Sequence, residues 1–133
     1  NEHIKNKIKP ALIKKKVVIC DRFIDSTIAY QVHGKKVDIN FINNIHRKIL
    51  QDIKPNVVFV LKVSKNSSRK RLKKRKTNNR YDNFPQSFYN KAQKSFIKLA
   101  KNKKNYFILN SSLNDDSLED KIFNIINKYL NIK

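Results

Sequence analysis

The residues best equipped for chemistry lie in one string, Asp21-Arg22-Phe23-Ile24-Asp25-Ser26-Thr27-Ile28-Ala29-Tyr30-Gln31, which follows directly on the apolar run Val17-Val18-Ile19-Cys20. An arginine fork can take two phosphate oxygens at once. Serine, threonine and glutamine can read a base edge, and a tyrosine can pack against a sugar. The same residue types also permit a plainer arrangement, in which Asp21 and Arg22 form an exposed ion pair and Ser26 caps the helix that follows. A second concentration is Arg69, Arg71, Arg75 and Arg80, with Tyr81 and Asp82 next in line. Lysine far outnumbers arginine in this chain, yet five of the six arginines fall at Arg22 or in this window. Such clustering suggests that a planar bidentate donor is needed there. The alternative is a solvated basic helix face.

Those groups need elements to hold them. Ile4, Ile8, Ala11 and Leu12 recur at helical spacing in residues 1–14, with Pro10 placed to kink or end the helix. Residues 17–20 and 57–61 are short β-branched runs that read as strands buried on both faces, and Tyr106-Phe107-Ile108-Leu109 is a third. Ile28, Ala29 and Val32 start a helix that Gly34 interrupts. Asp38 can cap a helix carrying Phe41, Ile42, Ile45, Ile49 and Leu50, which must stop before Lys54-Pro55. Phe88, Ala92, Phe96 and Leu99 or Ala100 mark a helix over 84–101, and Ile122, Ile125, Ile126 and Leu130 a closing one over 118–130. Thr77-Asn78-Asn79 reads as a turn. Strands alternating with helices predict a parallel α/β sheet with helices on both faces, and ligands then lie beyond the strand C-terminal ends. That rule selects residues 21–31, 62–80 and 110–117.

The formal net charge of +21 suits a polyanionic partner. Its make-up argues against nucleic acid, because lysine dominates and runs such as Lys14-Lys15-Lys16 and residues 101–104 lack aromatic residues on which bases stack. The single cysteine excludes an internal disulfide framework, and no apolar run approaches 18 residues, so a cytoplasmic protein without a membrane anchor is expected. His3, His33 and His46 show no ligand spacing with Cys20, and no zinc site is expected.

The string 21–31 resembles the thymidylate kinase signature, in which a strand ends in Asp-Arg, an aromatic follows, and a Ser or Thr pair precedes Ala-Tyr-Gln. The resemblance extends upstream through His3 and Ile8-Lys9-Pro10-Ala11-Leu12, and downstream through Pro55 with its strand, Asn79-Arg80-Tyr81-Asp82 and the loop after Leu109. It implies a three-layer P-loop NTPase-like fold and transfer of a phosphoryl group from ATP, with Mg2+, to thymidine monophosphate, giving dTDP. In that reading Arg22 holds the substrate phosphate, Thr27 and Gln31 lie near the thymine, Tyr30 packs by the deoxyribose, and Ser26 is a ligand contact or a cap. Asp21 sits near the magnesium and the transferred group. Residues 64–83 form the lid, where Arg75 and Arg80 act on the phosphoryl group and Arg71 and Tyr81 belong to the ATP side. Asn110-Ser111-Ser112-Leu113 resembles the loop beside the adenine. A homodimer is implied. The alternatives are a basic nucleic-acid-binding module and a kinase for another deoxynucleoside or its monophosphate.

The sequence has no methionine and no Gly-x-x-x-x-Gly-Lys-Ser/Thr. The expectation is therefore a single partial domain over residues 1–133, inactive by itself, whose sheet lacks the P-loop strand between the runs at 17–20 and 57–61. Unpaired buried backbone groups cost about 1–3 kcal/mol each, against roughly 5–15 kcal/mol for a whole domain, so such a chain is expected to be unstable alone.

Overall fold

A computed structural model describes residues 2–74, 84–112 and 116–131. These fall into two compact units, Asn1–Pro55 and Asn56–Lys133.

In the first unit a π-helical turn, Ile4–Ile8, runs into α1, Lys9–Ile13. Pro10 lies just past the join of the two segments, inside a run of helical backbone that continues to Ile13, so it does not end the helix. α2, Ile24–Thr27, continues into a second π-helical segment, Ile28–Gly34. α3, Ile39–Leu50, begins where the Asp38 carboxylate accepts the Asn40 N–H at 3.1 Å. Ile4, Ile8 and Leu50 form the core, with Val18, Phe23, Ile24, Ile49 and Ile53 packed against it. The Lys9 ammonium donates to the Gln51 side-chain carbonyl at 2.5 Å, joining α1 to the residue after α3.

The second unit carries the sheet. β1, Val58–Lys62, and β2, Tyr106–Asn110, are parallel and in register, with Phe59 opposite Phe107 and Lys62 opposite Asn110. The crossover between them holds α4, Lys65–Lys74, and α5, Gln86–Ala100, as a parallel connection requires. α5 packs on β1 and β2 and buries Phe88, Ala92, Ser95 and Ala100. The closing helix, α6, Ser117–Leu130, sets Tyr129 edge-on to Phe107, ring centroids 6.1 Å apart.

The α/β class with a parallel sheet is thus observed, with two corrections. Residues 17–20 form no strand: Val18 turns toward the core while Ile19 stays 89% exposed, and no partner among the described residues offers a ladder. The two strands that do form are not buried on both faces. Val60 is buried, but Leu61 and Ile108 are 49% and 44% exposed. On α3, Phe41 likewise points out at 58% exposure, so its core stripe is narrower than the periodicity suggests. Among the described residues no helix is long and apolar enough to cross a membrane.

Candidate functional site

With one glycine in the chain, positions that need a left-handed backbone must use other residues. One of these is Arg22, at φ 63°, immediately after the irregular run 17–20. A side-chain-bearing residue held there marks a site that its surroundings force. The turn is fixed on both sides. The Cys20 thiol donates to the Arg22 carbonyl at 3.6 Å, and Phe23 packs against the Ile4, Ile8 and Leu50 core while its carbonyl accepts the Ser26 N–H at 3.1 Å.

α2 begins at Ile24, with Phe23 at its N-cap and no side chain capping it. Ser26 and Thr27 are therefore inside the helix, which removes the capping role considered for Ser26. Ala29 is fully buried and anchors the π-helical segment. Ser26 and Tyr30, and Thr27 and Gln31, stand four apart on continuous helical backbone, so each pair shares a stripe, and all four are half-buried. The Arg22 guanidinium carbon lies over the Tyr30 ring, 5.5 Å from its centroid.

The two carboxylates of the string part company. Asp21 is exposed. Asp25 is half-buried and acts on His46 of α3: burial lowers the His46 pKa, and the negative charge of Asp25 opposes that shift. A magnesium ion needs one or two carboxylates and fills its remaining positions with phosphate oxygens and water, which an exposed Asp21 suits. Among the described residues no three His, Cys, Asp or Glu gather into a metal cluster.

In the second unit the two strand ends are tied by a network that the sequence reading passed over. The Ser111 N–H and hydroxyl both donate to the Lys62 carbonyl, at 2.8 and 3.3 Å. The Ser112 hydroxyl accepts the Ser64 N–H at 2.8 Å, and its carbonyl accepts the Ser67 hydroxyl at 3.1 Å. The Ser64 hydroxyl accepts the Ser67 N–H at 3.1 Å, so it caps α4, and it donates to the Ser67 hydroxyl at 3.0 Å. Gln93 of α5 accepts the Val63 N–H at 3.0 Å. A Ser-x-x-Ser pair ahead of a helix is a capping signal that could have located Ser64 and Ser67; nothing local points to Gln93.

Arg71 joins this network by donating to the Ser111 carbonyl at 2.5 Å. The structure thereby brings one arginine of the basic stretch onto the loop after β2, two regions that spacing alone left apart. Arg75, Arg80 and Tyr81 lie outside the described residues. A separate hollow of about 500 Å³, lined by Phe107, Ile125, Lys128 and Tyr129, is walled largely by apolar groups.

Comparison with known proteins follows the same outline. A family model described as thymidylate kinase matches residues 1–122. The thymidylate kinase of Wolbachia pipientis wMel is 44% identical over 100 residues, which are 74% of this chain and 48% of that protein. That of Mycoplasmoides gallisepticum is 32% identical over 130 residues, 98% of this chain and 62% of that protein. The crystal structure of thymidylate kinase from Ehrlichia chaffeensis superposes with a TM-score of 0.70 at 29% identity, over 95% of this chain and 59% of that one. The chain thus spans about half to three-fifths of the length of the relatives it matches. The polar string at residues 21–31, the parallel strand pair and the family match over residues 1–122 lead to one conclusion: this chain belongs to the thymidylate kinase family.

Proposed function

We propose that the protein carrying this chain transfers a phosphoryl group from ATP to thymidine monophosphate, and that residues 1–133 form part of one nucleoside monophosphate kinase core. The observation that carries the reading is Arg22, set in a left-handed backbone at the head of α2 with Thr27, Tyr30 and Gln31 on the helical segments after it, within a stretch that matches the family.

In this reading the Arg22 fork takes two oxygens of the substrate phosphate, a geometry that one guanidinium satisfies and an ammonium does not. Thr27 and Gln31 face the thymine, and Tyr30 fills the space beside the deoxyribose. Ser26, freed of a capping role, is left for ligand contact. On the donor side Arg71, braced on the Ser111 carbonyl, stands with Ser111 and Ser112 by the adenine. Arg75, Arg80 and Tyr81 belong to the lid, which closes over the nucleotide and excludes water. Arg75 and Arg80 supply positive charge to the phosphoryl oxygens as transfer proceeds. When bound, a magnesium ion would neutralise charge on the phosphates, and Asp21 is the residue here that would help hold it.

A second reading rests on α4, where Lys65, Arg69, Lys70, Arg71, Lys73 and Lys74 face no acidic residue in the same helix: a basic face that binds nucleic acid. A coupled assay of the natural full-length protein with ATP, magnesium and a panel of nucleoside monophosphates separates the two. Turnover with thymidine monophosphate well above that with the uridine, cytidine and adenosine counterparts is the expected outcome. No turnover with any of them, together with DNA binding that collapses as salt rises, would establish the basic module instead.

A further inference from the structure

Two backbone deviations in the first unit stand beside the residues assigned to the substrate. Arg22 keeps a left-handed backbone, φ 63°, which costs free energy that ordinary extended geometry would avoid. The helix that starts at Ile24 does not stay α-helical either, but widens into a π-helical segment at Ile28. Such segments are rare, and they re-aim the side chains beyond them. Tyr30 is the third residue of that segment. The residues at the two deviations meet: the Arg22 guanidinium lies over the Tyr30 ring, 5.5 Å from its centroid.

The contact suits an arginine that must hold still. A long, exposed guanidinium samples many rotamers, and ordering it when the ligand arrives weakens binding. An aromatic face attracts the cation through the ring's quadrupole and engages the flat face of the guanidinium, whereas oxygens are gripped along its N–H edge. The buried Ala29 next to Tyr30 fixes the backbone that carries the ring.

We propose that Tyr30 is a positioning residue for Arg22: its ring holds the guanidinium so that the fork is already aimed when a monophosphate arrives. This rests on the reading that Arg22 takes the substrate phosphate. It differs from a sugar-packing role for Tyr30, because the effect passes through the cation and therefore depends on the electron density of the ring and on the presence of a phosphate.

The test uses the natural full-length protein with Tyr30→Leu, Tyr30→Phe, and phenylalanines of increasing fluorination at position 30. Tyr30→Leu should raise KM for thymidine monophosphate roughly two- to fivefold, the scale of one exposed cation–π contact, with kcat within about twofold. Tyr30→Phe should restore most of that loss, and KM should climb stepwise along the fluorinated series, whose rings keep their shape while their faces lose negative charge. Inhibition by thymidine, which carries no phosphate, should not follow the series. A KM that ignores fluorination, or thymidine inhibition that shifts in parallel with it, overturns the proposal. The bracing itself is read without substrate. The Arg22 side-chain protons of the natural full-length protein should show an upfield ring-current shift that Tyr30→Leu abolishes. If that shift is absent the brace does not exist, whereas if it is present and no monophosphate is turned over, the functional reading fails and the brace stands.

Discussion

Residues 17–20 and β1 are built from the same kinds of residue, Val-Val-Ile-Cys in one and Val-Phe-Val-Leu at the start of the other. β1 is hydrogen-bonded in register to β2 and buries Val60. Residues 17–20 join no ladder among the described residues, and Ile19 stands almost fully in solvent. A β-branched run therefore supplies a face, but a strand also needs a neighbour, and the neighbour is not written locally. The polar ends of the two runs differ in the same way. Beyond β1 and β2 the chain is tied by hydrogen bonds among Lys62, Ser64, Ser67, Ser111 and Ser112. Beyond residue 20 the shape is held by a left-handed turn at Arg22 and by Phe23 packed on the core.

The contrast is sharpest in paired substitutions. In this chain Val60→Asp should lower stability by at least about 3 kcal/mol, because an unpaired carboxylate enters the core, whereas Ile19→Asp should stay within about 0.5 kcal/mol, as surface changes do. Urea unfolding midpoints give both numbers. Equal losses at the two positions would mean that residues 17–20 are paired after all.

A smaller effect separates the polar ends. Ser112→Ala removes the acceptor for the Ser64 N–H and should cost about 1 kcal/mol, while Ser26→Ala removes no cap and should cost less than about 0.5 kcal/mol. Thermal unfolding of the two variants side by side decides it, and a larger loss for Ser26→Ala would restore the capping role.

The smallest effect concerns pH. Burial lowers the His46 pKa from its ordinary 6.5, so below that value the unfolded chain binds the proton that the folded chain resists. The His46 contribution is complete above pH 6.5 and is lost as pH falls toward the folded-state pKa. His46→Gln should flatten stability over that interval. Asp25→Asn, which removes the opposing charge, should steepen it.

Much of this molecule could be read from local signals. The Asp38 cap, the ends of α3, the crossover between β1 and β2 and the reach of α5 and α6 all follow from periodicity and breakers. The string at 21–31 was recognisable because its residue types crowd directly behind an apolar run. What escaped the reading depends on contacts distant in sequence or on backbone geometry. Gln93 meets Val63, and Arg71 meets the Ser111 carbonyl, only because α4 and α5 sit between two parallel strands. The left-handed Arg22 and the π-helical turn under Tyr30 have no composition signature, since the residue that would advertise such a turn is glycine and the chain has one.

The central claim is that Arg22 holds the phosphate of the acceptor nucleotide, and its most direct test is Arg22→Ala in the natural full-length protein, assayed with thymidine monophosphate and magnesium-ATP. The account predicts that kcat/KM for the monophosphate falls at least about a hundredfold, the scale of a lost charge-assisted pair, while KM for ATP changes little. Unaltered kcat/KM for thymidine monophosphate in that variant would contradict it.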